Sequence, residues 1–287
     1  MEVDFLEFVV PVENNKTLFV WDIQPSLTEA EIYDRLCGVF SSFGPLYLLK
    51  LSPNTPLHPS GFSALVKFYS AAQALKAQRH TDGCSLFQSA PLKVRLSSKQ
   101  TPHFLCDSRR PLSHARCLEL ANHCLGFNGW TSDIITLKEL TNEEEEDGGE
   151  GEEGGLRRRL RFGCLLQLSF PRHRQTTRGA AVVEDTFTCT GEDGTSSPDV
   201  LLQKRCFLQK RVREKALVQA FTTVLLILLG HGKVMVEVRQ TSDQCVPEQT
   251  EGVLQINSPV SVNQFSRSDF DPDEDEGEDE EWNLTVS

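Results

Sequence analysis

The chain has 287 residues, of which 39% are hydrophobic and 24% charged, and a formal net charge of −12. That leaves room for two modest cores once polar tails are set aside, and two domains are expected. A membrane helix is excluded, because the longest apolar run, residues 217–229, is interrupted by Gln219, Thr222 and Thr223 and falls short of the ~18 residues a span needs. The chain is therefore read as soluble. Its first residues, MEVDFLEF, are acidic where a secretory leader would be basic, so export is not expected.

The charge is segregated. The balance is 0 over residues 1–100, −8 over 101–155, +8 over 156–240 and −12 over 241–287. A basic segment between two acidic ones points to a polyanion-binding surface with acidic flanks. The nine cysteines (37, 84, 106, 117, 124, 164, 189, 206 and 245) form no C-x-x-C pair and sit mostly in apolar runs. Buried reduced thiols are expected, not zinc ligands or disulfides, which suits a nuclear or cytoplasmic protein.

After an N-terminal arm (1–14), strand and helix signals alternate over residues 15–100. Thr17 to Ile23 is aromatic and β-branched, a strand. Ser26 and Glu29 have the spacing of a capping box, and Ile32, Leu36, Val39, Phe40 and Phe43 follow at helical spacing before Gly44. Leu46 to Leu51 is a second strand, residues 52–60 a proline-rich loop, and Phe62 to Tyr69 a third strand with Phe62, Ala64, Val66 and Phe68 on one face. An alanine-rich helix begins after Ser70, and Pro91 to Ser97 is the fourth strand. The order is βαββαβ.

Residues 101–112 lose periodicity and read as a linker. A second α+β domain is expected over 113–240, opening with a helix from Ser113 that carries Cys117, Ala121 and Leu125 on one stripe and stops at Gly126. Residues 142–155 (NEEEEDGGEGEEGG) read as a disordered acidic insert. Strands are expected at 161–170, 179–185 and 233–239, with one long helix from Ser197-Pro198-Asp199 to Gly230. Residues 241–287 read as a disordered acidic tail.

In the first domain, alternation directs Leu18 and Val20 toward the helices. Thr17, Phe19 and Trp21 then point to the open face, with Ser63, Leu65 and Lys67 on the third strand, Lys93 and Arg95 on the fourth, and Lys50 beside them. Flat rings beside cations suit a single nucleic-acid strand, whose bases stack while Lys and Arg meet phosphates. Leu18–Ile23 and Gly61–Phe68 resemble the two short motifs of the RNA-recognition motif (RRM), with Phe19 at a stacking position. In the second motif Ser63 and Leu65 stand where that family has aromatics. The face thus has two readings, a nucleic-acid surface or a protein-interaction adaptor.

In the second domain, residues 119–130 read as a helix end and a tight corner, with Gly126 as the left-handed cap, Asn128-Gly129 at positive φ, and Phe127 and Trp130 against the core. The pattern of Asn122, Gly126, Phe127, Asn128, Gly129 and Trp130 is similar to the annealing domain of the Rad-fifty-two family. Together the two modules resemble the small family that joins them, which implies DNA and RNA binding in the DNA-damage response and repair, and assembly as a dimer more than as a large ring. Basic residues crowd one helix: Lys204, Arg205, Lys210, Arg211, Arg213 and Lys215. At Thr222, Thr223 and Leu226 the resemblance would call for basic groove residues, so DNA contact is expected on the Lys204–Lys215 cluster and annealing is expected to be weak.

The seven histidines are scattered, and no H-E-x-x-H, Walker-type loop or G-x-S-x-G occurs. No catalysis, metal, cofactor, small-molecule substrate or membrane contact is expected.

Overall fold

The computed structural model describes residues 3–54, 60–97, 110–146, 156–189, 198–229 and 233–239. The elements are β1 (Val3–Glu7), β2 (Thr17–Ile23), α1 (Glu29–Ser41), β3 (Leu46–Pro53), β4 (Phe62–Phe68), α2 (Ala71–Thr81), β5 (Lys93–Leu96), α3 (His114–Leu125), β6 (Thr131–Glu146), β7 (Leu156–Phe170), β8 (Gln175–Cys189), α4 (Pro198–Thr222), β9 (Val224–Leu229) and β10 (Lys233–Val238). They divide into two compact units. One is built from the described residues of 1–136, 165–180 and 213–246, the other from those of 137–164 and 181–212.

In the first unit, β2 to β5 and their two helices follow the expected βαββαβ order, in a sheet ordered β3-β4-β2-β5. The strands alternate as their sequences require. Leu18, Val20, Ala64, Val66 and Val94 are buried beneath the helices with Ile32, Leu36, Phe40 and Phe68. Pro53 is tolerated because β3 is an edge strand, where a missing N–H costs no ladder bond. The cap of α1 differs from the reading. Thr28, not Ser26, is the N-cap: its hydroxyl accepts from the Glu31 N–H, and the Glu31 carboxylate accepts from the Thr28 N–H at 2.9 Å. Both spacings fit the pattern, and these hydrogen bonds from Thr28 hold the Glu31 carboxyl below its ordinary range. Thr17 also departs from expectation, being buried on a face where it was expected exposed.

A three-stranded sheet, ordered β1-β9-β10, overturns two further expectations. The N-terminal arm supplies β1, whose Leu6 lies opposite Leu226 of β9, with Val236 of β10 on the far side. All three are buried, Leu6 and Leu226 completely. The long helix expected to reach Gly230 ends at Thr222, where the hydroxyls of Thr222 and Thr223 turn back to the carbonyls of Gln219 and Ala220. The run Val224–Leu229 is then a central strand. A short apolar run carries no period that separates buried strand from buried helix, and here pairing on both edges decides it. The stretch expected to link the domains is also held: Val10 donates to the Arg110 carbonyl, and Leu112, fully buried, to that of Phe8. Residues 98–109 and 240 lie outside the described residues, as do 147–155 of the expected insert and all of the expected tail, 241–287.

The segment after residue 112 runs α3-β6-β7-β8-α4, with a sheet ordered β6-β7-β8. Residues 142–146, expected within the disordered insert, belong to β6. Within the first unit, Gly179 of β8 meets α4 so closely that a Cβ would lie 2.2 Å from the Ala216 carbonyl oxygen. Thr177 and Thr223 share a hydroxyl hydrogen bond of 2.8 Å, and Phe221 stacks on Phe8 at 4.6 Å. In the second unit Leu160, Phe162 and Cys164 of β7 are buried, as are Val183 of β8 and Leu208 and Val212 of α4.

Candidate nucleic-acid interface

The open face of the four-stranded sheet gathers the predicted residues into rows. Lys50, Leu65, Phe19 and Arg95 are successive cross-strand partners, so one line crosses all four strands. In the neighbouring rows Trp21 pairs with Lys93, Ser63 with Ser52, and Lys67 with Leu48 and Thr17. Phe19 and Trp21, two residues apart on β2, stack on one another with centroids 5.6 Å apart and planes 22° apart. Both rings are half-buried, not fully open. They form a preset π surface with a cation at each flank. The ammonium of Lys93 lies 2.8 Å from Asp22, yet both side chains stay more than half exposed, so the pair holds little energy and yields readily to a phosphate.

Where β2 leaves the sheet, Asp22 takes φ 61 and the register with β4 slips. Gln88 secures that bend by donating to the Asp22 carbonyl at 2.7 Å and accepting from the Gln24 N–H at 2.8 Å. Gly61, immediately before β4, is required by crowding: a Cβ would meet the Ile23 carbonyl oxygen at 2.6 Å. Sequence reasoning passed over Tyr47. It sits where the register between β3 and β4 shifts, with the Lys67 ammonium 5.7 Å and the Arg116 guanidinium 5.5 Å from its ring centroid. A bulge breaks the alternation that placed the other residues, so no sequence signal marked this third ring.

The helical cluster does not form one surface. Arg205 turns toward β6 and pairs with Glu139 at 3.1 Å, and Lys204 pairs with Asp185 of β8 at 2.8 Å with its ammonium also near the Phe187 ring. Arg211 lies over the ring of Phe207 at 5.7 Å. Helical spacing puts Lys215 on the flank with Lys204 and Arg211, whereas Lys210 and Arg213 are exposed on the outward side. Lys204 and Arg205 therefore neutralise strand carboxylates, which sequence spacing alone did not disclose.

The corner after α3 holds, with corrections. Gly126 caps the helix at φ 77. Asn128 and Gly129, expected at positive φ, do not take it; Gly129 is needed because a Cβ would lie 2.3 Å from the Leu125 carbonyl oxygen. The Trp130 indole donates to Asn122 at 3.0 Å and meets Phe221 edge-on at 5.4 Å, so it is pinned as expected. Phe127 is not pinned. It is 85% exposed.

Among the described residues no group of three His, Cys, Asp or Glu could hold a metal ion, and no helix is long and apolar enough to cross a membrane.

Residues 112–225, from the start of α3 to the first residues of β9, match a family model described as the RDM1 DSRM domain. Over nearly its whole length the chain is similar to RAD52 motif-containing protein 1 of Danio rerio, at 48% identity over 96% of this chain and 95% of that one. The proteins of the same name from Gallus gallus and Homo sapiens are 37% and 34% identical, each over 88% of both chains. Among solved structures, the third RRM domain of Mip6 is similar over 31% of this chain and all of its own, at 21% identity and a TM-score of 0.26.

Proposed function

This chain belongs to the family of RAD52 motif-containing protein 1, and from that premise we propose that it is a non-catalytic nucleic-acid-binding protein that acts on single-stranded DNA and RNA, or distorted DNA, in the DNA-damage response or repair. The observation that carries the reading is the row Lys50–Leu65–Phe19–Arg95 with Trp21 stacked beside Phe19. Each base stacked on an aromatic contributes ~1–3 kcal/mol by truncation, enough for two rings to dominate affinity. The RAD52 motif in the name its relatives carry accords with the resemblance of the corner motif to the annealing family, and the repair role rests on that resemblance. On α4, Lys210 and Arg213 would meet phosphates. Annealing itself would be weak, since Thr222 ends the helix and Leu226 is buried in a strand.

Work in both nucleus and cytoplasm accords with partners found in both and with reduced thiols at Cys37, Cys84, Cys117, Cys124 and Cys206. Val3, Phe5 and Met235, 40–57% exposed on one face of the β1-β9-β10 sheet, support self-association as a dimer. Leu65, standing where the motif would carry an aromatic, favours a second reading in which the open face docks a protein.

Titration of the whole chain against matched single-stranded DNA, single-stranded RNA and duplex over a salt series tests the proposal. Affinity for single strands should fall steeply and linearly in log–log form as salt rises. Salt-independent capture of a protein, with no affinity for any strand, would favour the adaptor.

A further inference from the structure

The sheet of the second unit has a face that neither the aromatic surface nor the basic helix uses. Along β7, Leu160, Phe162 and Cys164 are 0–4% exposed, so alternation turns Arg157, Arg159 and Arg161 to the opposite, solvent side. Neighbours in this row are about 6.7 Å apart, two strand residues at ~3.3–3.4 Å each. Arg159 is held rigidly by Glu184 of β8 through two hydrogen bonds of 2.6 and 3.0 Å. Arg157 and Arg161 have no acidic partner among the described residues, and the Arg161 Nε is buried without a hydrogen bond. Beyond the row, Leu140 of β6 lies across Gly163, where a Cβ would come within 3.1 Å of it. That places Lys138, exposed and two residues earlier, on the same face and likewise without a carboxylate among the described residues. Beside the cations Leu140 is 52% exposed over a residue that has no side chain.

We propose that this face, built on Lys138, Arg157, Arg159 and Arg161, is a second contact surface for the phosphate backbone of nucleic acid, independent of base sequence. It rests on the nucleic-acid reading above. The chemistry favours a polyanion of regular spacing. Guanidinium groups engage phosphate bidentately, and a straight strand holds them at fixed intervals as a flexible loop could not. Lys204 and Arg205 of the same unit are already matched by Asp185 and Glu139, whereas on this face Arg157, Arg161 and Lys138 have no carboxylate partner among the described residues. An exposed Leu140 beside phosphate contacts accommodates a sugar or base edge without reading it.

The test uses the full chain with Arg157→Gln/Arg161→Gln, Lys138→Gln, the face variant Phe19→Ala/Trp21→Ala, and the charge-matched control Lys76→Gln/Arg79→Gln on α2. Each is titrated with an oligothymidylate, an oligouridylate and a mixed-sequence duplex over a KCl series. The double arginine variant should bind several-fold more weakly and shallow the log–log salt slope by roughly 1.4 on single strands or 1.8 on duplex, at ~0.7 and ~0.9 per lost phosphate contact. Lys138→Gln, on an exposed side chain that folding does not need, should shallow the slope by about half as much. If wild type binds and Phe19→Ala/Trp21→Ala weakens it while the β7 and Lys138 variants match wild type or the α2 control, the second surface is refuted and the nucleic-acid reading stands. Absence of wild-type binding to all three probes would overturn the reading and this proposal together.

Discussion

Leu18 and Phe19 are chain neighbours with opposite duties, and substitution should separate them. Leu18 is fully buried, so Leu18→Ala should cost ~2–5 kcal/mol, read by denaturant unfolding. Phe19→Ala with Trp21→Ala should leave the melting curve nearly in place and weaken single-strand binding, since the stacked rings line the open face. Unchanged affinity in the folded double variant would remove the stacking contact from the account. The cysteines give a chemical readout. Burial pushes the Cys117 thiol up to about 12, so at pH 8 roughly one in ten thousand is thiolate. Exposed Cys206 should alkylate first at that pH and Cys117 only on unfolding, as peptide mapping would show. A thiol raised in the folded state favours folding below its ordinary 9.0, and that contribution is lost as pH climbs from there toward about 12. At this scale the sequence was legible where strict alternation held, Thr17 excepted, which is buried on the open face. It was not legible at Tyr47, where a bulge reset the pattern, nor at Phe127, whose ring stays in solvent although its apolar character suggested the core.

Among the elements, α4 and its neighbours show what periodicity can and cannot say. The helix carries apolar residues around much of its circumference, with Leu202 and Phe207 more than half exposed, so its stripe did not mark where it ended. Contacts made by β1 and β10 fixed Val224–Leu229 as a strand, and no local rule contains them. Strand β6 was missed for a different reason. The acidic run 143–146 that closes it reads as a chain avoiding order, and Thr131, Ile134, Ile135 and Thr136, good strand formers, were the signal overlooked. Two glycines test the packing. Gly179→Ala would press a methyl onto backbone atoms of Ala216 and Ala220 that cannot yield, and should cost ~1–3 kcal/mol by thermal or denaturant melts. Gly163→Ala meets only the mobile end of Leu140 and should cost distinctly less. Equal losses at both positions would mean that the helix gives way on β8 as easily as a side chain does.

For the molecule as a whole, the segregated charge implies competition within one chain. Residues 269–281 are almost entirely acidic, and they are joined to a segment of balance +8. A tether of a few tens of residues can hold such a stretch at an effective concentration on the order of millimolar, so weak pairing with the cations is enough for occupancy. Removing residues 268–287 should therefore raise affinity for DNA at low salt, and the gain should shrink as ions screen both contacts. Identical binding isotherms for the full and shortened chains at low salt would deny the tail that role. The division of charge was readable from the sequence; which cations the fold had already spent on Asp185, Glu139 and Glu184 was not, because those partners lie on other strands. The pairing of β1 with β9 has a further consequence, for biosynthesis. Glu7 leaves the ribosome more than two hundred residues before its partner Leu225. At translation rates of about 5–20 residues per second, the first strand waits roughly ten to forty-five seconds with its apolar side chains uncovered. Phe5, Leu6 and Phe8 are thus an early, long-lived target for whatever nascent-chain chaperone attends the ribosome, and slowing translation should lengthen that exposure without altering the finished fold.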